Sequence, residues 1–354
     1  MKKRCFGAFF RDFYYFYKTK ISSWKPKLIW CTISSMDLLE TQKAIKYLKD
    51  TFEKRLASKL KLVRVSAPLF VEKKSGLNDE LNGVEETVGF DIQNERVEIV
   101  QSLAKWKRYA LKEYNFPKDI GLYTDMNAIR KDEELDHLHS IYVDQWDWER
   151  IVSKAKRNKK TLFSIVKKIY SVILSVAKDS EKKWGFSYQL PEEISFISTS
   201  ELEENYPSLQ SKERENRIAK ELKAVFIYQI GWPLNSGLPH DGRAADYDDW
   251  NLNGDIILFD DAINSAIEIS SMGIRVNANS LRKQLKHKNE LYKLDNPYCQ
   301  KIIKDELPLT IGGGIGQSRL CMFYLQKRHI GEVQSSYWPK EMREKLEKEG
   351  IHLL

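Results

Sequence analysis

Cysteine and long apolar runs are scarce in this sequence, and each shortage excludes a class of protein. The 354 residues include four cysteines, which form no C-x-x-C pair and no closely spaced framework: Cys5, Cys31, Cys299 and Cys321. A disulfide scaffold or a zinc ribbon is therefore not expected, and a reducing cytoplasm is the expected compartment. No stretch approaches the roughly 20 uninterrupted apolar residues of a membrane span, so we expect a soluble protein without a membrane partner.

Acidic residues are nearly missing from the first 35 positions. Asp12 is the one acid there, against eight lysines and arginines, so this segment carries +7 of the total net charge of +8. About +1 remains for residues 36–354, which gives little reason to expect a broad phosphate-binding surface or a tRNA partner. Arg11 and Asp12 interrupt the apolar run, which is not typical of a secretory signal. We interpret residues 1–35 as a basic, aromatic-rich extension outside the core, disordered or upstream of it, with a targeting role as the alternative.

From Met36 onward the apolar residues recur at helical spacing and lead into a predicted strand at 62–71, with Pro68 near its middle. Proline lacks a backbone donor, so this strand is expected at an edge or an interface. A hairpin is predicted over 121–149, and its return strand places Gln145, Asp147 and Glu149 on one face. Helical sequence follows at 151–183, and further strands are predicted at 194–198, 224–230, 255–259 and 266–269. This order predicts an α+β domain built on a largely antiparallel sheet.

A glycine run ending in an arginine is the strongest local signal. It reads Gly312-Gly313-Gly314-Ile315-Gly316-Gln317-Ser318-Arg319. Glycines allow a nucleotide to approach the backbone closely, and a following helix start favours anions. The run is neither a P-loop nor a dinucleotide fingerprint, because it lacks the Lys-Ser/Thr pair and the spacing that those motifs need. A simple tight turn is the alternative, although the arginine favours a phosphate site.

Two further groups of charged residues are candidates for nucleotide chemistry. Arg130, with Asp132 and Glu133, lies between the arms of the predicted hairpin, where the arginine could hold an α-phosphate and an acid could contact an adenine amino group. Asp255 and Glu268 each lie in an apolar strand, where a buried acid needs a partner, and Mg²⁺ accepts one or two protein carboxylates plus substrate phosphates. The alternatives are an ordinary charged turn and an acidic loop.

Taken in order, these segments resemble the ammonia-dependent aspartate–ammonia ligase family. The matching stretches read GLNDELNGVE, VQSLAKWKR, HSIYVDQWDWE, DYDDWNLNGDI, EISSMGIRV and TIGGGIGQSRL. The likeness covers residues 36–354 in one collinear order, which implies a single catalytic domain there. That family is similar to the catalytic domain of class II aminoacyl-tRNA synthetases. The resemblance implies an antiparallel sheet flanked by helices and a homodimer formed through the helix and strand that end at Pro68.

The resemblance also implies an activity, in which ATP activates L-aspartate as β-aspartyl-AMP and ammonia then releases AMP to give L-asparagine. Its implied nucleotide-binding residues are Arg130, Glu133, Asp248, Gly314, Gly316 and Arg319. Its implied Mg²⁺ ligands are Asp255 and Glu268. Its implied aspartate-binding residues are Ser102, Lys107, Asp147, Ser271 and Arg275, with Asp147 on the ammonium. Its implied catalytic residues are Arg130, Arg319, Asp79 and Gln145, the last two near the forming amide.

Three rival functions can be weighed from the sequence. A glutamine-dependent enzyme needs a nucleophilic cysteine, and neither Cys299 nor Cys321 has a glutaminase motif around it. A tRNA synthetase needs an anticodon-binding domain, for which we see no room on either side of 36–354. A catalytically silent relative would have lost the nucleotide arginines or the metal acids, and Arg130, Arg319, Asp255 and Glu268 are all present. Free ammonia is therefore the expected nitrogen source.

Overall fold

An eight-stranded β-sheet lies at the centre of the computed structural model, which describes residues 36–81 and 85–354. Within these, Leu38–Leu354 form one compact unit. The predicted extension, residues 1–35, lies outside the described residues. No helix of the described part is long and apolar enough to cross a membrane.

The described residues form eleven strands and nine α-helices. The strands are β1 (Leu62–Arg64), β2 (Phe70–Glu72), β3 (Gly89–Ile92), β4 (Glu95–Ile99), β5 (Gly121–Ile129), β6 (Tyr142–Ile151), β7 (Ser195–Ser198), β8 (Ala224–Tyr228), β9 (Asp248–Asp260), β10 (Ser265–Arg275) and β11 (Thr310–Gly316). The helices are α1 (Leu38–Leu60), α2 (Ala104–Glu113), α3 (Lys159–Trp184), α4 (Thr199–Asn205), α5 (Ser211–Leu222), α6 (Ala278–His287), α7 (Pro297–Ile303), α8 (Gln317–Tyr324) and α9 (Lys340–Lys348). Short 3₁₀ turns lie at Lys73–Ser75, Lys154–Lys156, Leu291–Asp295 and Ile330–Glu332.

The large sheet has the order β1-β5-β6-β11-β10-β9-β8-β7. Its terminal pairs, β1 with β5 and β7 with β8, are parallel, and the pairs between them are antiparallel. Strands β2, β4 and β3 form a separate antiparallel sheet. The predicted α+β architecture on a largely antiparallel sheet is confirmed.

Two faces of the large sheet differ because side chains alternate along each strand. Trp146 of β6 stacks on Phe52 of α1 with their ring centroids 4.8 Å apart, so this face is covered by helix. The alternate residues of β6, which include Gln145, Asp147 and Glu149, therefore point to the opposite face, as predicted. Helix α2 lies across that opposite face, where Lys107 donates from Nζ to the carbonyl of Gly313 at 3.0 Å.

The predicted single strand at 62–71 is wrong. The chain forms β1 at the edge of the large sheet, leaves it, and enters the small sheet as β2. Val65 still donates from its backbone nitrogen to the carbonyl of Tyr123 at 2.9 Å, but Pro68 has no backbone donor with which to continue the ladder. The expected edge position holds for β1.

Other boundaries also differ from the prediction. The helix expected from residue 151 begins at Lys159, because β6 continues to Ile151 and Asn158 caps the helix by accepting from the nitrogen of Thr161. Strands β9 and β10 are longer than predicted, so Asp248 lies in a strand rather than in an acidic loop.

The glycines of this run form strand β11 rather than a tight turn, and helix α8 begins directly after them at Gln317, as predicted. The register of β11 places Gly312 opposite Glu149, Gly314 opposite Asp147 and Gly316 opposite Gln145. A Cβ atom at Gly312 would lie 1.8 Å from Oε2 of Glu149, and one at Gly314 would lie 2.1 Å from Oε1 of Gln145. The missing side chains therefore make room for the polar side chains of β6.

Candidate active site

A cavity of about 410 Å³ lies on the face of the sheet that carries the polar residues of β6. Fourteen of the fifteen predicted site residues line it: Asp79, Ser102, Lys107, Arg130, Glu133, Gln145, Asp147, Asp248, Glu268, Ser271, Arg275, Gly314, Gly316 and Arg319. The exception is Asp255, which is buried beside the cavity and bound by Arg243 of its lining. Residues from distant parts of the chain thus meet in one polar cavity.

A buried ion pair marks one part of the cavity. Lys107 lies 3.0 Å from Oδ1 of Asp147, and the lysine side chain is 1% exposed. The other carboxylate oxygen, Oδ2, accepts from the backbone nitrogen of Leu103 at 3.2 Å. Burial lowers the pKa of Lys107 below its usual range, although the negative charge of Asp147 opposes this shift. The pair presents one ammonium and one carboxylate, which suits a zwitterionic ligand.

Arg275 is held between two carboxylates. Its Nε and Nη2 donate to Glu149 at 2.7–3.0 Å, and its Nη1 donates to Oδ1 of Asp248 at 2.5 Å. Burial lowers the pKa of Arg275, but Asp248 and then Glu149 outweigh it and raise the pKa well above the usual range. Sequence reasoning placed Glu149 on this face without giving it a role. In the structure it fixes the guanidinium group in position.

Asp79 and Ser102 form a second polar contact on the cavity wall. Ser102 donates from Oγ to Oδ2 of Asp79 at 2.7 Å, and the backbone nitrogen of Leu81 donates to Oδ1 at 3.0 Å. Burial raises the pKa of the Asp79 carboxyl, although the nearby charge of Lys105 lowers it in part. A carboxylate with a raised pKa is better suited to accept a proton than an exposed one.

Arg130 and Arg319 line the same cavity and keep hydrogen-bonding capacity toward it. Arg130 donates from Nε to the carbonyl of Gln101 at 3.4 Å, and its Nη1 lies 3.9 Å from Oε2 of Glu133. Arg319 donates from Nη1 to the carbonyl of Glu268 at 3.0 Å, and the same atom lies 3.7 Å from a carboxylate oxygen of Glu268. These contacts engage a minority of the five donors of each guanidinium, which leaves donors for a phosphate.

Asp255 of β9 and Glu268 of β10 lie close enough for their charges to interact. Burial raises the pKa of Asp255 well above its usual range, and the charge of Glu268 adds to the shift although Arg243 opposes it. Burial also raises the pKa of Glu268, but the positive charges of Arg319, Lys212, Arg243 and Arg130 outweigh it and lower the pKa.

These two carboxylates fit a magnesium ion as part of a shared coordination set. Oδ1 of Asp255 is buried and has no hydrogen-bond partner in the described part of the chain, so one hard oxygen is available for a cation. No group of three or more potential ligand side chains occurs within residues 36–81 and 85–354. A cation held here would thus need other oxygens, and Mg²⁺ ordinarily takes them from phosphates and water.

Sequence reasoning missed two cations and three acids of the cavity lining, namely Lys212, Arg243, Glu85, Asp144 and Asp241. Arg243 contacts Asp255 through Nη2 and lies 3.0 Å from Asp241 through Nη1, while Lys212 donates to Oε2 of Glu215 at 3.0 Å. Arg243 lies just before the acidic cluster DYDDW, and that proximity was a usable signal. Lys212 lies in a helix rich in lysine and glutamate, where nothing distinguishes it from a solvent-exposed charge.

The fold defines the class of protein. The structure is similar to that of the asparaginyl-tRNA synthetase of Entamoeba histolytica in complex with asparaginyl-adenylate, with a TM-score of 0.61 and 14% identity over 84% of this chain and 66% of that chain. It is also similar to the Pyrococcus horikoshii asparaginyl-tRNA synthetase complexed with asparaginyl-adenylate, with a TM-score of 0.60 and 14% identity over 84% of this chain and 70% of that one. The chain thus spans about two thirds of the synthetase lengths. The fold is that of a class II aminoacyl-tRNA synthetase catalytic domain, as predicted.

Sequence relatives identify the family within that class. The aspartate-ammonia ligase (AsnA) family matches residues 39–350. The aspartate–ammonia ligase of Bacillus cytotoxicus is 58% identical over 323 residues, which cover 90% of this chain and 99% of the relative. That of Clostridium tetani is 55% identical over 325 residues, which cover 91% of this chain and 95% of the relative. This chain belongs to the aspartate–ammonia ligase family, and the predicted membership is confirmed.

Proposed function

We propose that this protein is a carbon–nitrogen ligase that makes L-asparagine from L-aspartate, ammonia and ATP. One structural observation supports the proposal in addition to family membership. Two guanidinium groups suited to phosphate, those of Arg130 and Arg319, line the same cavity as the Lys107–Asp147 pair, which is suited to a zwitterion. A single cavity thus has the chemistry to bind a nucleotide and an amino acid side by side.

In the first step the β-carboxylate of aspartate attacks the α-phosphorus of ATP. An oxygen–phosphorus bond forms, the bond to pyrophosphate breaks, and β-aspartyl-AMP results. Negative charge grows on the phosphate oxygens, and preset cations lower the barrier by stabilising it. Arg130 acts on the α-phosphate and Arg319 lies near the purine. The remaining nucleotide contacts are Glu133, Asp248, Gly314 and Gly316.

Asp255 and Glu268 hold Mg²⁺ in this proposal. The unpartnered Oδ1 of Asp255 and the interaction between the two carboxylates support this assignment. When bound, the ion neutralises phosphate charge and favours departure of pyrophosphate.

The aspartate substrate occupies the part of the cavity around α2. Asp147 binds its ammonium group, and its carboxylates are bound by Lys107, Ser102 and Arg275. Ser271 is a further contact to the substrate. The salt bridges of Arg275 to Glu149 and Asp248 orient the guanidinium before substrate arrives. Orienting a group in advance reduces the ordering cost of binding.

In the second step ammonia attacks the activated carbonyl carbon. A carbon–nitrogen bond forms, AMP leaves, and one proton must leave the nitrogen. Asp79, with its burial-raised pKa, accepts that proton or orients the ammonia, and Gln145 contacts the forming amide.

The protein is further proposed to be a cytoplasmic homodimer that does not bind tRNA. Its interface includes α1 and the edge strand β1, and exposed apolar side chains there support this assignment, Val63 being 52% exposed. Residues 36–354 are proposed to be the single catalytic domain, with residues 1–35 dispensable for activity.

Incubation with aspartate, ATP, Mg²⁺ and either ammonium or glutamine tests the function. Ammonium should yield equal amounts of asparagine and AMP, and glutamine should yield little. ADP in place of AMP, or product with glutamine alone, would contradict the proposal. Exchange of labelled pyrophosphate into ATP should require aspartate and be unaffected by tRNA, which separates this activity from that of a tRNA synthetase.

A further inference from the structure

Lys212 lines the cavity although it belongs to a helix on its rim. It lies in the first turn of α5, and its side chain is 70% exposed. Its one ion pair among the described residues joins its Nζ to Oε2 of Glu215 at 3.0 Å. That glutamate also contacts Nε2 of the buried His240 at 3.0 Å through its other oxygen. The ammonium group thus uses one ion-pair contact, which leaves donors for a ligand in the cavity.

The position is unfavourable for helix stability. The N-terminal turn of a helix carries a partial positive charge, so anionic side chains are preferred there and a lysine is not. The exposed i,i+3 ion pair with Glu215 offsets only a small part of this unfavourable interaction with the helix N-terminus. Helix stability therefore gives no reason for a lysine at this place.

The charge of Lys212 acts on Glu268, one of the two acids proposed to hold magnesium. Partial desolvation lowers the pKa of Lys212, but the negative charges of Glu215, Glu268 and Asp241 outweigh it and raise the pKa above the usual value. The same ammonium contributes to the lowered pKa of Glu268. Lys212 is therefore a full cation that lies near Glu268 within one cavity.

A group of cations surrounds this corner of the cavity. Arg130, Arg243, Arg319 and Lys212 all face Glu268, while the partners of Arg243 are Asp241 and Asp255. Both acids adjacent to Arg243 engage it through salt bridges. The Lys212 ammonium has one ion pair among the described residues, the exposed one with Glu215, and its flexible stem allows it to follow a charged group as it moves.

We propose that Lys212 binds the β- and γ-phosphates of ATP and holds the pyrophosphate as it leaves. This inference rests on the proposed function, because it assigns a further residue to the same nucleotide site. The α-phosphate and the aspartate remain with the residues already described. Lys212 therefore acts on nucleotides through the two terminal phosphates and not through AMP.

Calorimetric titration of the full chain with Mg-ATP, Mg-pyrophosphate and AMP tests the inference. Lys212→Met should raise the Kd for ATP and for pyrophosphate roughly tenfold, the size expected for one charge-assisted contact, and leave the Kd for AMP unchanged. Lys212→Arg should restore both affinities to within about twofold of the wild type. Lys220→Met is the matched control, because Lys220 lies on the same helix, contacts Asn264 and does not line the cavity.

Two results would overturn the inference. Equal losses of affinity for AMP and pyrophosphate would show that the substitution disturbs the whole site. Unchanged affinity for all three ligands would show that Lys212 is an ordinary helix cation. These titrations do not depend on turnover, so they remain decisive whether or not the wild type makes asparagine. Absence of asparagine formation by the wild type would instead contradict the proposed function.

Discussion

The carboxylate of Asp144 accepts two hydrogen bonds from Ser318, one from the backbone nitrogen at 3.1 Å and one from the hydroxyl at 2.8 Å. The same carboxylate accepts from Lys49 of α1 at 2.9 Å and from Gln334 at 3.1 Å. Helix α8 begins at Gln317, and its N-cap residue, Gly316, has no side chain with which to cap the helix. Asp144 of β6 thus supplies the cap from another strand and fixes the segment that carries Arg319.

Replacing Asp144 by alanine should destabilise the protein by about 3 kcal/mol, because the change removes a helix cap and breaks a largely buried ion pair. Urea denaturation measures the loss. Asp50→Ala is the matched control, since Asp50 pairs with Lys46 on the exposed face of α1 and should change stability by less than about 1 kcal/mol. Equal losses in the two variants would show that Asp144 has no special structural role.

Arg130→Ala should reduce kcat for asparagine formation by at least about 10²-fold and leave the folded state nearly intact. The Arg130 side chain is 24% exposed, and among the described residues it makes one long hydrogen bond, so its removal costs few native contacts. Steady-state kinetics and thermal unfolding together measure both effects. Arg217→Ala removes an exposed arginine from α5 that pairs with Glu221, and it should alter neither quantity. Unchanged turnover in Arg130→Ala would contradict the mechanism.

Gly314→Ala should impair aspartate binding, because the new methyl group would lie 2.1 Å from Oε1 of Gln145 and 2.7 Å from Oδ1 of Asp147. Both side chains would have to move. The KM for aspartate should rise at least about tenfold, since misplacing a substrate-positioning group is costly. In Gly316→Ala the nearest atom would be Cβ of Arg319 at 3.3 Å, so a smaller rise is expected. A larger effect at Gly316 would show that the steric argument is wrong.

Asp260 should make the protein less stable as the pH rises. Burial raises the pKa of this 2%-exposed carboxyl to about 6, while its pKa in the unfolded chain is near 3.8. The folded state therefore binds the proton more tightly than the unfolded chain does. Stability is thus lost as the pH rises from about 4 to about 6. Asp260→Asn should add about 2 kcal/mol of stability at pH 7 and almost none at pH 4.

Urea denaturation from pH 4 to pH 8 checks this dependence. The amide in Asp260→Asn can still accept from the backbone nitrogen of Ala262, so the turn that follows β9 is preserved. Asp261→Asn is the control, because Asp261 is exposed and pairs with Lys223. A stability gain that is the same at every pH would refute the titration argument.

Local patterns identified the hairpin and its polar face, because alternation along one strand depends on neighbouring residues alone. The alternation placed Gln145, Asp147 and Glu149 together before any fold was known. It did not reveal that Glu149 binds Arg275, because that contact depends on β6, β11 and β10 being adjacent in the sheet.

Strand ends were harder to predict than strand centres. Residues 248–254 are rich in Asp and Asn, which are rare in strands, yet they pair with β10 and extend β9. Tertiary pairing thus overrides local preference, and it brings Asp248 to Arg275. Arg130 and Arg319 are 189 positions apart in sequence and line one cavity, which was expected from the family resemblance and not from any local signal.

Because glycines of β11 form one wall of the cavity, part of the surface facing a ligand there consists of main-chain atoms, and Lys107 already donates to one of these, the carbonyl of Gly313. Main-chain atoms are the same whatever residue is encoded. Point substitutions in β11 therefore cannot change the chemistry of this wall without adding a side chain that fills the cavity. Engineering the enzyme toward a different amino acid would thus have to begin on β6 and α2, where side chains set the shape of the cavity.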